Sequence, residues 1–129
     1  MIKRLSLLAL PLLAGCATMG NAAPSLVGSK WTFVSIDGQK PVSGKAWLNI
    51  DANRIGATVG CNGMGGSVKI EPGRLITGPF MSTQMYCEGL MEQERAVSQL
   101  LSGSPRYSVK NDRLVLTGAG HRAELKRTN

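Results

Sequence analysis

The sequence is poor in the groups on which most catalytic and nucleic-acid sites are built. In 129 residues it has one histidine, His121, three cysteines, two each of Trp, Tyr and Phe, and eight acidic side chains. No two cysteines stand at the C-x-x-C spacing of a dithiol redox pair. Cys61 and Cys87, with 25 residues between them and one distant histidine, match no common zinc spacing. The nucleophile-elbow pattern of serine hydrolases is missing. Basic and aromatic residues do not interleave, which argues against a nucleic-acid partner. No apolar run reaches the roughly 20 residues of a membrane-spanning helix, and there is no internal repeat or low-complexity tract.

What is present begins at the N-terminus. Lys3 and Arg4 precede an apolar run from Leu5 to Leu13, broken only by Ser6 and Pro11, the layout of an export signal. Leu13-Ala14-Gly15-Cys16 then resembles the bacterial lipobox, in which cleavage exposes a lipidated cysteine. The expected organisation is a lipoprotein signal peptide over 1–15, an acylated Cys16 with a flexible tether over 16–25, and one domain over 26–129. One acyl chain anchors marginally, and stable attachment takes more, a condition that a triacylated Cys16 meets. Because Ala17 rather than Asp follows the cysteine, the Gram-negative sorting rule directs the protein to the outer membrane, facing the periplasm. The membrane, through Cys16, is thus the first expected partner. Without Lys3 and Arg4, thirteen basic side chains face eight acidic ones. This modest, scattered excess fits a solvated surface as well as attraction to anionic partners.

An odd cysteine count in an exported chain leaves one thiol over. If Cys16 carries lipid, Cys61 and Cys87 remain, in a compartment where disulfides persist. Cys61 lies in GCNGMGG, residues 60–66. A phosphate loop would need these glycines to lead into a helix, but Ser67-Val68-Lys69-Ile70 reads as a strand. A catalytic thiol needs a base nearby, and His121 is sixty residues away in a hairpin turn. A Cys61–Cys87 cross-link fits best. It would restrict the unfolded chain by about 3.5 kcal/mol on the loop-entropy model, and glycines would let the backbone turn tightly toward the bridge.

Short apolar stretches separated by turn chemistry predict an antiparallel sheet. The expected strands are Trp31–Ile36, Ala46–Ile50, Arg54–Val59, Ser67–Ile70, Leu75–Thr77, Tyr107–Val109, Leu114–Thr117 and Arg122–Leu125. Turns are expected at Asp37-Gly38, Pro72-Gly73, Asn111-Asp112 and Gly118-Ala119-Gly120. Glu88 to Leu101 predicts an amphipathic helix, with Leu90, Val97, Leu100 and Leu101 on one face and Gly103 and Pro105 just beyond its end.

These residues resemble the META domain family, typified by heat-inducible lipoproteins. The resemblance rests on Leu26-Val27-Gly28-Ser29-Lys30-Trp31, Ile36-Asp37-Gly38, and Gly60-Cys61-Asn62 with Gly66. It continues through Gly78-Pro79-Phe80-Met81-Ser82-Thr83-Gln84-Met85-Tyr86-Cys87, the helix positions Glu94, Val97 and Leu101, and Leu114-Val115-Leu116. It spans Leu26 to about Leu125. Where the family often has aromatics, this chain has Met64 and Val68. The resemblance implies an α+β fold, mainly antiparallel β: a half-open, barrel-like sheet packed with one α-helix. It implies no reaction, metal or cofactor.

Gly60, Asn62, Gly66, Thr83, Met85 and Glu94 are the expected structural motif. Asn62 is expected to satisfy local backbone groups. Glu94 falls about 40° from Leu90 around the helix, which makes it a rim carboxylate. The alternative is that it accepts hydrogen bonds from backbone N–H groups of Thr83–Cys87. Three functional readings follow. The first is a non-enzymatic, lipid-anchored, monomeric envelope protein serving envelope integrity or stress tolerance. The second is a binding module or assembly chaperone holding a lipid or an envelope protein's peptide in an apolar groove. The third and weakest is a thiol oxidoreductase using Cys61.

Overall fold

The computed structural model describes residues 25–129. The expected signal peptide over 1–15, Cys16 and nearly all of the expected tether lie outside these described residues. Eight strands occur in chain order: β1 Ser29–Ile36, β2 Trp47–Ile50, β3 Arg54–Thr58, β4 Gly63–Glu71, β5 Arg74–Ser82, β6 Arg106–Lys110, β7 Arg113–Gly118 and β8 His121–Arg127. The one helix, α1, runs Met91–Ser102 between β5 and β6. Each strand pairs antiparallel with its sequence neighbours, and β1 pairs with β8 to close a barrel.

Local chemistry dictates this meander. Asp37-Gly38 (φ 50° and 79°), Asn111-Asp112 (51° and 60°) and Ala119-Gly120 (51° and 79°) put two successive residues at positive φ. That geometry matches the right-handed twist of adjoining strands. Pro72-Gly73, with Gly73 at φ 74°, has the Pro-Gly order of a type II turn between β4 and β5. Alternation then sends Trp31, Phe33, Leu48, Ile50, Ile55, Ala57, Met64, Val68, Leu75, Leu114, Leu116, Ala123 and Leu125 into the barrel, all buried. An eight-stranded barrel is just wide enough for side chains to fill it. Met64 and Val68 belong to this core.

The Trp31 indole N–H donates to Ser29 Oγ at 2.7 Å, and the Arg127 guanidinium stacks over its ring at 4.7 Å. The ring of strands is thinnest between β5 and β6, where only Arg74 and Arg106 are in register. Beyond that pair, Ser104 bridges to Thr77 through side-chain hydrogen bonds. α1 packs against β5, β7, β8 and β1 and buries Ala96, Val97, Leu100 and Leu101.

Most strand ends shift by one or two residues from expectation, and three boundaries shift by more. β5 runs to Ser82, five residues past the expected Thr77, because Phe80–Ser82 continue the pairing with β4. The helix starts at Met91, because Cys87–Leu90 forms a turn in which Gly89 takes φ 78° and the Leu90 N–H donates to Cys87 O. The glycine-rich stretch is mostly strand, since Gly63–Gly66 are the first residues of β4, paired with β3 on one side and β5 on the other. Only Gly60 among these glycines has positive φ, 111°.

Candidate functional site

The polar centre of the molecule lies where the loop entering β4 meets the segment between β5 and α1. Gly60 turns the chain, and a Cβ there would come within 2.5 Å of Ser43, so both its φ and its surroundings require glycine. The turn directs Cys61 to Cys87, with which it forms a disulfide, Cα atoms 5.9 Å apart. It also places Asn62, only 2% exposed, between the segment after β5 and α1.

Asn62 uses its full hydrogen-bonding capacity there. Its side-chain N–H groups donate to Met85 O at 2.8 Å and Glu94 Oε2 at 2.9 Å. Its carbonyl oxygen accepts from the Thr83 hydroxyl at 2.9 Å and the Met85 N–H at 2.7 Å. Its backbone N–H donates to Glu94 Oε1 at 2.9 Å. An amide has two donors and two acceptor lone pairs, so none is left for a ligand. Asn62 therefore joins groups 21 to 32 positions away in sequence instead of capping its own turn.

Glu94 is buried, 8% exposed, which overturns the rim reading. It reaches the Thr83–Cys87 segment only through Asn62, not by direct bonds to its backbone N–H groups. A buried carboxylate is tolerated when its oxygens are hydrogen-bonded, and both are. Met85 contributes its backbone, and the residue as a whole is 58% exposed. Gly66 lies apart on β4, where a Cβ would meet Pro79 O at 2.6 Å and the Phe80 ring at 2.8 Å. Its role is close approach of β4 and β5 at the bulge between Gly66 and Val68. The structure thus brings Gly60, Cys61, Asn62, Thr83, Met85, Cys87 and Glu94 together and leaves Gly66 outside.

One participant carries no sequence signal beyond its place next to Glu94. Gln93, 7% exposed, donates to Lys40 O and accepts from the Val42 N–H, each at 2.9 Å. It fixes the β1–β2 loop to α1.

His121 belongs to a separate cluster. Its Nδ1 lies 2.7 Å from Asp37 Oδ2 and its Nε2 2.8 Å from Gln99 Oε1. Asp37 Oδ1 accepts the Arg122 N–H at 2.9 Å. Partial burial works against ionisation of Asp37. The Arg122 N–H together with the hydrogen bond and charge of His121 outweighs it and holds the carboxyl below its usual range. Among the described residues no three His, Cys, Asp or Glu side chains converge as a metal site.

A groove of about 510 Å³ lies on the outer wall of β2 to β5, near Trp47, Gly56, Gly65 and Met81. It is not the barrel interior, which core side chains fill.

The META domain model matches residues 24–129. The chain belongs to the META domain family. Two solved structures, both determined by NMR, share the fold. One has a TM-score of 0.66 and 19% identity, covering 77% of this chain and 88% of its own. The other, from Burkholderia xenovorans, has a TM-score of 0.65 and 19% identity, covering 81% and 84%. No curated protein matches the sequence. At this identity the two structures speak to fold alone, and in this META domain the Asn62 centre is a latch between strand and helix.

Proposed function

We propose that this META domain is a non-catalytic envelope module held at the outer membrane by an acylated Cys16, where it serves envelope integrity or stress tolerance. The observation that carries the non-catalytic reading is the Asn62–Glu94 centre. It has the burial and polar density of an active site, yet every donor and acceptor of its central amide is turned to holding the fold. Support for anchoring comes from Leu13-Ala14-Gly15-Cys16 and its distance from Lys3 and Arg4. The outer-membrane assignment follows from Ala17 for a Gram-negative envelope. Fractionation of cells expressing wild type and Cys16→Ser tests the proposal. Wild type should sediment with outer membranes and the variant should not; identical soluble distribution of both would overturn it.

A second reading, a binding module, is favoured by the outer-wall groove and not by any space inside the barrel. It predicts a bound mass on native purification, and repeated recovery of the bare domain counts against it.

A further inference from the structure

Glycine is disfavoured inside strands, where it packs nothing and loses the most conformational freedom. Yet the outer wall of β2–β5 has three in adjacent positions. In register across four strands stand Asn49, Gly56, Gly65 and Met81. In the next row stand Trp47, Thr58 and Gly63. None of the three glycines takes positive φ. A Cβ at Gly65 would meet Ile55 O at 2.9 Å, which explains that glycine by close packing. At Gly56 it would make only an ordinary contact, 3.7 Å to Met64 O, and at Gly63 it would meet nothing within 4 Å. The fold therefore does not require Gly56 or Gly63. What they leave open is the floor of the groove.

We propose that this groove binds a short neutral saccharide, one pyranose ring lying on the glycine floor against the indole of Trp47. Trp47 is 41% exposed although it is a large aromatic on a strand, and Met81, 79% exposed, forms the opposite wall. A pyranose has an apolar face of C–H groups that packs on an indole, and a rim of hydroxyls that needs hydrogen bonds. Asn49, Asp51, Arg54 and Thr83 border the same groove and supply both donors and acceptors. Asp51 and Arg54 bring opposite charges to one end, so the site has no net charge with which to select an anion. Its volume, about 510 Å³, lies within the usual range of small-ligand sites.

The other occupants fit less well. β2, β3 and β4 are each paired on both sides, so the floor offers no strand edge to an extended peptide. An acyl chain would need an apolar tunnel, and the barrel interior is occupied by Trp31, Leu48, Ile50 and their neighbours. The saccharide assignment rests on the binding-module reading and is independent of acylation at Cys16.

The test is a titration of the ¹⁵N-labelled domain with N,N′,N″-triacetylchitotriose and with cellotriose, read by amide and indole shifts. The Trp47 indole and the Gly56, Gly63 and Gly65 amides should shift saturably with at least one of the two. The buried Trp31 indole, bonded to Ser29, should stay fixed. Gly63→Val places a methyl-bearing side chain in the groove at a strand position that accommodates it, and Trp47→Ala removes the stacking wall. Each should weaken binding about tenfold or more, with the Trp31 indole reporting an intact barrel. Absence of shifts with both sugars, or undiminished shifts in Gly63→Val, would overturn the proposal. Shifts at the groove with an extended peptide or a detergent micelle but with neither sugar would overturn the saccharide and leave the binding module standing. A groove silent to all four probes would overturn both.

Discussion

Both carboxylate oxygens of Glu94 accept hydrogen bonds from the same residue, Asn62, one from its backbone N–H and one from its side-chain amide, each at 2.9 Å. This pair fastens the entry of β4 to α1 across 32 positions of sequence. Through the other face of the Asn62 amide it also holds Thr83 and Met85. Asn62→Ala leaves a buried carboxylate short of a donor and releases the Thr83 hydroxyl and the Met85 backbone. Unsatisfied buried groups cost about 1–3 kcal/mol each, so a loss of about 2–4 kcal/mol is expected in urea unfolding. Asn62→Ala combined with Glu94→Ala should cost less than the sum of the single changes by more than about 1 kcal/mol, as expected for residues in one network.

The disulfide and the latch close the same loop by independent means. Cys61→Ser with Cys87→Ser should lower stability by about 2–4 kcal/mol while leaving amide shifts of the barrel strands in place, because Asn62 still joins β4 to the Thr83–Met85 segment. Collapse of the whole spectrum would show that the bridge, not the latch, holds this region.

Gly60→Ala faces two separate obstacles, a φ of 111° and a Cβ within 2.5 Å of Ser43. A loss above about 1 kcal/mol is expected from the backbone conformation alone. Adding Ser43→Gly should recover only part of the total, since it relieves the collision and not the dihedral. Full recovery in thermal unfolding would mean that the contact alone dictates this glycine.

Asp37 gives a pH dependence of defined sign. Its folded-state pKa is held below the ordinary value, so the ionised form is the better bonded one. The corresponding stability is present above the unfolded value of about 3.9 and is lost as pH falls through the folded value. His121 and Asp37 side chains are 22% and 40% exposed, which limits the effect to less than about 1 kcal/mol. Asp37→Asn should therefore be slightly less stable than wild type at neutral pH. The difference should shrink below about pH 4, and a gap that widens on acidification would contradict this.

Elements bounded by strong turn chemistry were legible in the sequence. Asp37-Gly38, Asn111-Asp112 and Ala119-Gly120 announce hairpin geometry by residue type alone, and the strands beside them alternate apolar and polar. Gly63–Gly66 carry no such signal, because glycines display no alternation and their strand state comes from pairing with β3 and β5. Glu94 stands where helical periodicity is least decisive, at the edge of the apolar face. Its burial depends on Asn62, a partner no local window contains. The bridge between Cys61 and Cys87 could be read from cysteine arithmetic, whereas the groove could not. Gly56 and Gly65 become neighbours of Trp47 and Met81 only once four strands are in register.

The intact mass of the protein extracted from membranes in detergent tests most directly whether the domain is acylated and internally cross-linked, as proposed. Thiols are alkylated without prior reduction. The expected mass lacks residues 1–15, carries acyl groups on Cys16 and shows no alkylated cysteine. A chain that retains Met1–Gly15 or lacks acyl groups, or one with Cys61 and Cys87 both alkylated, would contradict it.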